Sequence, residues 1–138
     1  MRLPLILALL LALAASARDY PATCTAAYDG DTITVDIDLG LGVVLKGQRI
    51  RLHGLDAPEM TGAEKTQGII VRDYVRGRIL NKPVILRTLV NSKGVDRRGK
   101  YGRWLGIILY WPDEDRGAIT NLNELLLKTG MAAEYLKD

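Results

Sequence analysis

The chain has 138 residues and a formal net charge of +3, with 48% hydrophobic and 25% charged residues. The length fits one domain, and the composition excludes a mainly disordered chain or a charge-saturated tail. One cysteine, Cys24, and one histidine, His53, exclude an internal disulfide and a zinc site built on those ligands.

Arg2 precedes an apolar run from Leu3 to Leu13, broken only by Pro4, and Ala15-Ser16-Ala17 follows. This pattern predicts a secretory signal peptide over residues 1–17, cut after Ala17. The remaining domain, residues 18–138, is then secreted or periplasmic. The run falls short of the roughly 20 apolar residues of a membrane span. A first strand is expected over Ala22 to Tyr28, with Cys24 a packed or free thiol. Asp29-Gly30 signals a turn. Thr32 to Leu39 alternates, with Ile33, Val35, Ile37 and Leu39 on one face, as a half-buried strand does. Gly40 and Gly42 break it. Lys46-Gly47 reads as a second turn, before a strand from Gln48 to Leu52.

Pro58 and Gly62 mark a loop. Glu64 to Leu80 has helical spacing: Val71, Val75 and Ile79 lie four apart, as do Ile70 and Tyr74. Val84 to Val90 reads as a strand, Asn91 to Gly102 as a polar loop, and Trp104 to Trp111 as a last strand closed by Pro112. Asn121 with Glu124 forms a capping-box pattern before a short helix carrying Leu122, Leu125 and Leu126, and Gly130 ends it. Short strands in a small domain must cover their edges. The expectation is a mainly β domain with helices: a five-stranded OB-type barrel, a helix after its third strand and a short C-terminal helix.

Three segments concentrate charge at turns: Asp29 to Thr32, Arg51 to Glu59, and Asp96 to Arg103. Asp31 continues the apolar row of Ile33 and Val35, where a carboxylate is costly unless a cation or an arginine pairs with it. Asp56 and Glu59 lie just past Arg51. Oxygen donors without soft ligands suit a hard cation. Neither Asp29 nor Asp36 opens an EF-hand, because the twelfth positions are Gly40 and Gly47.

Taken together, Asp29-Gly30-Asp31-Thr32, Arg51 through Asp56-Ala57-Pro58-Glu59, and Lys100-Tyr101-Gly102-Arg103 resemble the staphylococcal (micrococcal) nuclease family, the thermonucleases. Asn123-Glu124-Leu125-Leu126 and Gly130 match that family's later helix and its end. The resemblance implies an OB-type barrel and a calcium-dependent phosphodiesterase that acts on DNA and RNA and leaves 3′-phosphate ends. By position it implies that Asp31 and Asp56 are calcium carboxylate ligands. The backbone carbonyl of Ala57 would be a third ligand, at a position where the family often has threonine. It implies Glu59 as general base, Arg51 and Arg103 as phosphate-binding arginines, and Lys100 and Tyr101 beside the substrate. His53 gains no role. A monomer is expected. The competing reading is a non-catalytic OB-type module that binds nucleic acid. It has no use for Asp31, Asp56 and Glu59 beside two arginines, so the enzyme reading requires all five side chains to converge on one site.

Overall fold

The computed structural model describes residues 17–114 and 116–136. The leader reading of residues 1–17 lies outside these, apart from Ala17. The first strand, β1, spans Ala17–Ala27, five residues earlier than the sequence predicts. Alternation is weak there because Pro21 and Asp19 interrupt it, but Ala17 to Thr23 pair antiparallel with β5, Pro83–Leu89. A cut after Ala17 leaves β1 intact from Arg18 onward.

β2, Thr32–Gly40, and β3, Val43–Leu52, form a hairpin. The predicted turn at Lys46-Gly47 is instead an irregularity inside β3. Pairing shifts between Val35 and Ile37, and the Gly47 N–H donates to Asp36 Oδ1 at 2.9 Å. Gly47 has φ +65°, which a bulge accommodates as readily as a turn. The chain reverses at Gly40-Leu41-Gly42, all three at positive φ. Ile33, Val35 and Ile37 are buried as their alternation requires, but Leu39 is 48% exposed, since the hairpin runs past the core.

After the two-residue strand β4, Leu55–Asp56, a single 3-10 turn leads into helix α1, Lys65–Ile79. Val71, Val75 and Ile79 face the core with no exposed surface, whereas Ile70 faces solvent. β6 spans Trp104–Tyr110 and pairs antiparallel with β5. It also pairs in parallel with β3, Ile50 opposite Trp104 and Arg51 opposite Leu105. The order β3-β2-β1-β5-β6, with β6 returning to β3, closes a ring of five strands around Ile33, Val35, Ile50, Leu86 and Ile108. This is the expected OB-like architecture, with α1 after the third ring strand.

A short strand β7, Thr120–Asn121, leads into α2, Leu122–Lys128. Asn121 caps it by accepting from the Glu124 N–H at 3.0 Å. Buried Asn123 fastens this helix to the ring. Its Oδ1 accepts from the Ile108 N–H at 3.1 Å, and its Nδ2 donates to the carbonyls of His53 and Gly106 at 3.0 and 3.1 Å. The last strand, β8, Ala133–Glu134, pairs with β4. Among the described residues no helix is long and apolar enough to cross a membrane.

Candidate active site

The turn before β2 is fixed by Asp29, whose Oδ1 accepts from the backbone N–H groups of Asp31 and Thr32 at 3.0 and 2.8 Å. It holds Asp31 at the end of the apolar row, nearly buried. Asp31 Oδ2 accepts from the Ala57 N–H at 2.8 Å, and Oδ1 accepts from the Thr32 hydroxyl at 3.3 Å. Across the β2–β3 pairing, Thr32 faces Arg51, so both segments meet at one end of the hairpin.

Arg51 is the least exposed of the site's cations, at 8%. Its Nη1 lies 3.3 Å from Asp31 Oδ2 and donates to the Leu52 carbonyl at 3.2 Å. Its Nη2 lies 3.5 Å from Asp56 Oδ1. Above it, 5.8 Å from the guanidinium carbon, is the ring of Tyr135, whose N–H donates to the Gly54 carbonyl at 2.9 Å.

Burial pushes the Asp31 carboxyl up from its ordinary 3.8. The Ala57 amide and Arg51 pull it down without cancelling that rise, and Asp29 adds to it. Asp56 is raised too, first by burial and then by the charge of Asp31. Two neighbouring carboxylates held this way gain from a cation between them, and their oxygens fit a hard one such as calcium. Among the described residues no three acidic, histidine or cysteine side chains gather at ligating distance.

The loop after β4 brings Glu59 to the same place. Gly68 of α1 packs so closely that a Cβ there would collide with the Glu59 carbonyl, and a Cβ at Gly30 would lie 2.8 Å from that of Ala57. The Glu59 N–H donates to Glu64 Oε2 at 3.0 Å, which ties the loop to the start of the helix. On the opposite wall, the loop before β6 is pinned by Asp96. That carboxylate accepts from Thr88 at 2.5 Å and from Tyr20 at 3.2 Å, and pairs with Arg18 at 3.4 Å. Arg103, at its end, donates from Nη1 to the Thr32 hydroxyl at 3.1 Å and from Nε to the Lys100 carbonyl at 3.2 Å.

The result is one cleft of about 500 Å³. Asp31, Arg51, Asp56, Ala57, Glu59, Lys100 and Arg103 all line it, so the five side chains expected to converge do so. Tyr101 does not line it. That residue is 89% exposed at φ +61°, with its ring 5.5 Å from the Arg103 guanidinium carbon. His53 is not a lining residue either. The sequence did not single out Asp29, Arg98 or Tyr135 as wall residues. Arg98 was visible only as one member of a basic loop. Its guanidinium stacks 3.6 Å from the Trp104 ring centroid, a pairing set by the bridge between the two residues.

A family model described as staphylococcal nuclease homologue matches residues 49–138. The chain belongs to the staphylococcal nuclease family. A search of curated proteins finds no match. The stretch matched to the nuclease family takes in Arg51, Asp56, Glu59, Lys100, Arg103 and Tyr135. Asp31 lies upstream of it and joins the nuclease-like site through the β2–β3 register. Family membership supports a nuclease or nucleic-acid-binding function in general terms.

Proposed function

We propose that the protein is a secreted or periplasmic, calcium-dependent phosphodiesterase that hydrolyses DNA and RNA to 3′-phosphate ends. The observation that carries this reading is the lining of one cleft by Asp31, Asp56, Glu59, Arg51 and Arg103, drawn from three distant segments. In this reading Asp31, Asp56 and the Ala57 carbonyl would hold a calcium ion. When bound, calcium supplies charge neutralisation and a polarised phosphoryl oxygen.

The remaining chemistry belongs to the chain. Arg51 and Arg103 present forked donors that suit phosphate oxygens. Arg51 stands 3.3 Å from the Asp31 carboxylate and 3.5 Å from that of Asp56, on the cleft wall. A guanidinium gives up its proton too reluctantly to act as an acid, so both arginines stabilise charge as it builds on the phosphate. Glu59 takes the proton of the attacking water as the water's oxygen bonds to phosphorus; the bond from phosphorus to the 5′-oxygen breaks, and solvent water protonates that oxygen as it leaves. Lys100 in the wall and Tyr101 outside it contact the flanking strand.

The test is incubation of the purified protein with DNA and with RNA, in calcium and in chelator, with the ends analysed for phosphatase-sensitive 3′-phosphate. Binding without cleavage in calcium would leave only the nucleic-acid-binding module. Full cleavage in chelator would remove the metal assignment. An N-terminus at Arg18 in protein recovered outside the cytoplasm is the expected outcome for the leader.

A further inference from the structure

Arg98 is the cation of the cleft that the proposed chemistry leaves without a task. It lines the cleft together with Lys100 and Arg103. Its guanidinium carbon lies over the Trp104 ring, 3.6 Å from the centroid. Among the described residues its hydrogen bonding is one contact, from Nη1 to the Gly102 carbonyl at 3.4 Å, and no carboxylate pairs with it. A guanidinium carries five N–H donors, so most of this fork has no protein partner.

Covering an indole accounts for the stack. It does not account for how firmly the segment before Arg98 is fixed. The Arg97 N–H donates to the Leu89 carbonyl at 2.7 Å, and the Arg97 carbonyl accepts from the Leu105 N–H at 3.1 Å. Asp96 is held by Thr88, Tyr20 and Arg18, and Arg18 Nη2 also donates to the Gly94 carbonyl at 2.7 Å. Three ring strands, β1, β5 and β6, thus grip the residues that lead to Arg98. A cation fixed in advance loses little freedom when it meets a ligand.

Trp104 sets where that charge stands. Its indole N–H donates to Gln48 Oε1 at 3.1 Å. Gln48 precedes Arg51 on β3 by three residues, about 10 Å along the strand. Arg103 instead reaches Thr32, which faces Arg51. Arg98 therefore stands to one side of the two arginines in the same cleft, where a second phosphate of a bound strand has room.

We propose that Arg98, laid on Trp104, is a third phosphate-binding residue of the cleft, one that grips a phosphate neighbouring the scissile one. This rests on the phosphodiesterase reading and adds a specificity determinant to it, because a substrate must carry a second phosphate to use Arg98.

The full chain, as the parent, Arg98→Ala and Arg98→Lys, is given two substrates in calcium: a dinucleoside monophosphate, which has a single phosphodiester, and a single-stranded octanucleotide. Arg98→Ala should raise KM for the octanucleotide about tenfold, the worth of one charge-assisted hydrogen bond, and lower kcat far less. For the dinucleoside monophosphate its KM should move by no more than about twofold. In chelator, the anisotropy of a fluorescent octanucleotide gives the salt dependence of binding. Each phosphate neutralised on a single strand contributes about 0.7 to the slope of log K against log salt. Arg98→Ala should lose about that much, while Arg98→Lys, which keeps the charge and loses the stack, should keep the slope and bind more weakly. An unchanged slope in Arg98→Ala would overturn the proposal and leave Arg98 a cover for Trp104. Equal rises in KM for both substrates would overturn it in favour of a contact with the scissile phosphate itself. If the parent cleaves neither substrate, the phosphodiesterase reading fails, and the slope alone decides whether Arg98 meets phosphate.

Discussion

Replacing Arg51 by alanine should unfold the protein far more readily than replacing Arg103, although both belong to one cleft. Arg51 is buried against Asp31 and Asp56, with its charge 3.3 Å from a carboxylate that is itself only 7% exposed. Arg51→Ala removes two buried methylenes, worth about 1.6 kcal/mol. It also strands Asp31 with the Ala57 amide and the Thr32 hydroxyl as partners, at about 2 kcal/mol for a charge left under-satisfied. The sum, roughly 3–4 kcal/mol, matches the low end for breaking a buried pair. At this chain length it corresponds to a drop in melting temperature on the order of 15 °C. Arg103 holds only a hydroxyl and a carbonyl, and its loss should cost about 1 kcal/mol or less. The assay is thermal unfolding by circular dichroism in chelator, with cleavage measured in calcium below both midpoints. There each variant should be slowed by roughly 10²–10³. Equal melting temperatures for the two variants would refute the reasoning, because the Arg51 ion pairs would then contribute nothing to the fold.

Glu59→Gln should lower turnover more than substrate affinity in steady-state cleavage, since it keeps the side chain's size and removes the proposed base; Lys82→Ala, outside the cleft, is the control and should change neither. Gly68→Ala should lower both stability and cleavage, because α1 must withdraw from the Glu59 carbonyl; the two readouts are urea unfolding and cleavage rate, and unchanged values in both would contradict the close packing. Burial pushes the Cys24 thiol from 9.0 up to about 11. Stability present below pH 9 is therefore lost as pH rises through 11, by about 2–3 kcal/mol. Urea unfolding between those values should fall less steeply for Cys24→Ala than for the parent.

The ring strands and α1 were legible because each carries an unambiguous period: Ile33-Val35-Ile37 in twos, Val71-Val75-Ile79 in fours. The first strand was read short because its outer half is specified by pairing with β5 rather than by its own pattern. Gly47 misled because positive φ serves bulges and turns alike. At the site, charge at turns identified the segments, and family likeness identified the residues. What sequence could not supply was direction. Nothing in Arg97-Arg98 says which arginine reaches the cleft until the bridge to Trp104 sets the alternation. Tyr101, by contrast, sits in a left-handed turn that carries its ring away from the wall that Lys100 and Arg103 share.

The parallel β3–β6 pairing has a kinetic consequence. Its partners, Arg51 and Leu105, lie farther apart along the chain than those of the β1–β2, β2–β3 and β5–β6 hairpins, as do the partners of β1–β5, and closing such long loops is entropically slow. The antiparallel hairpins β2–β3 and β5–β6 can form on short loops before it. Until β3 and β6 pair, Arg51 and Arg103 ride on separate substructures and no cleft exists between them. Cleavage competence should therefore appear with closure of the ring rather than in proportion to secondary structure. A chain kept from closing its ring therefore carries Arg51 and Arg103 without the cleft that brings them together.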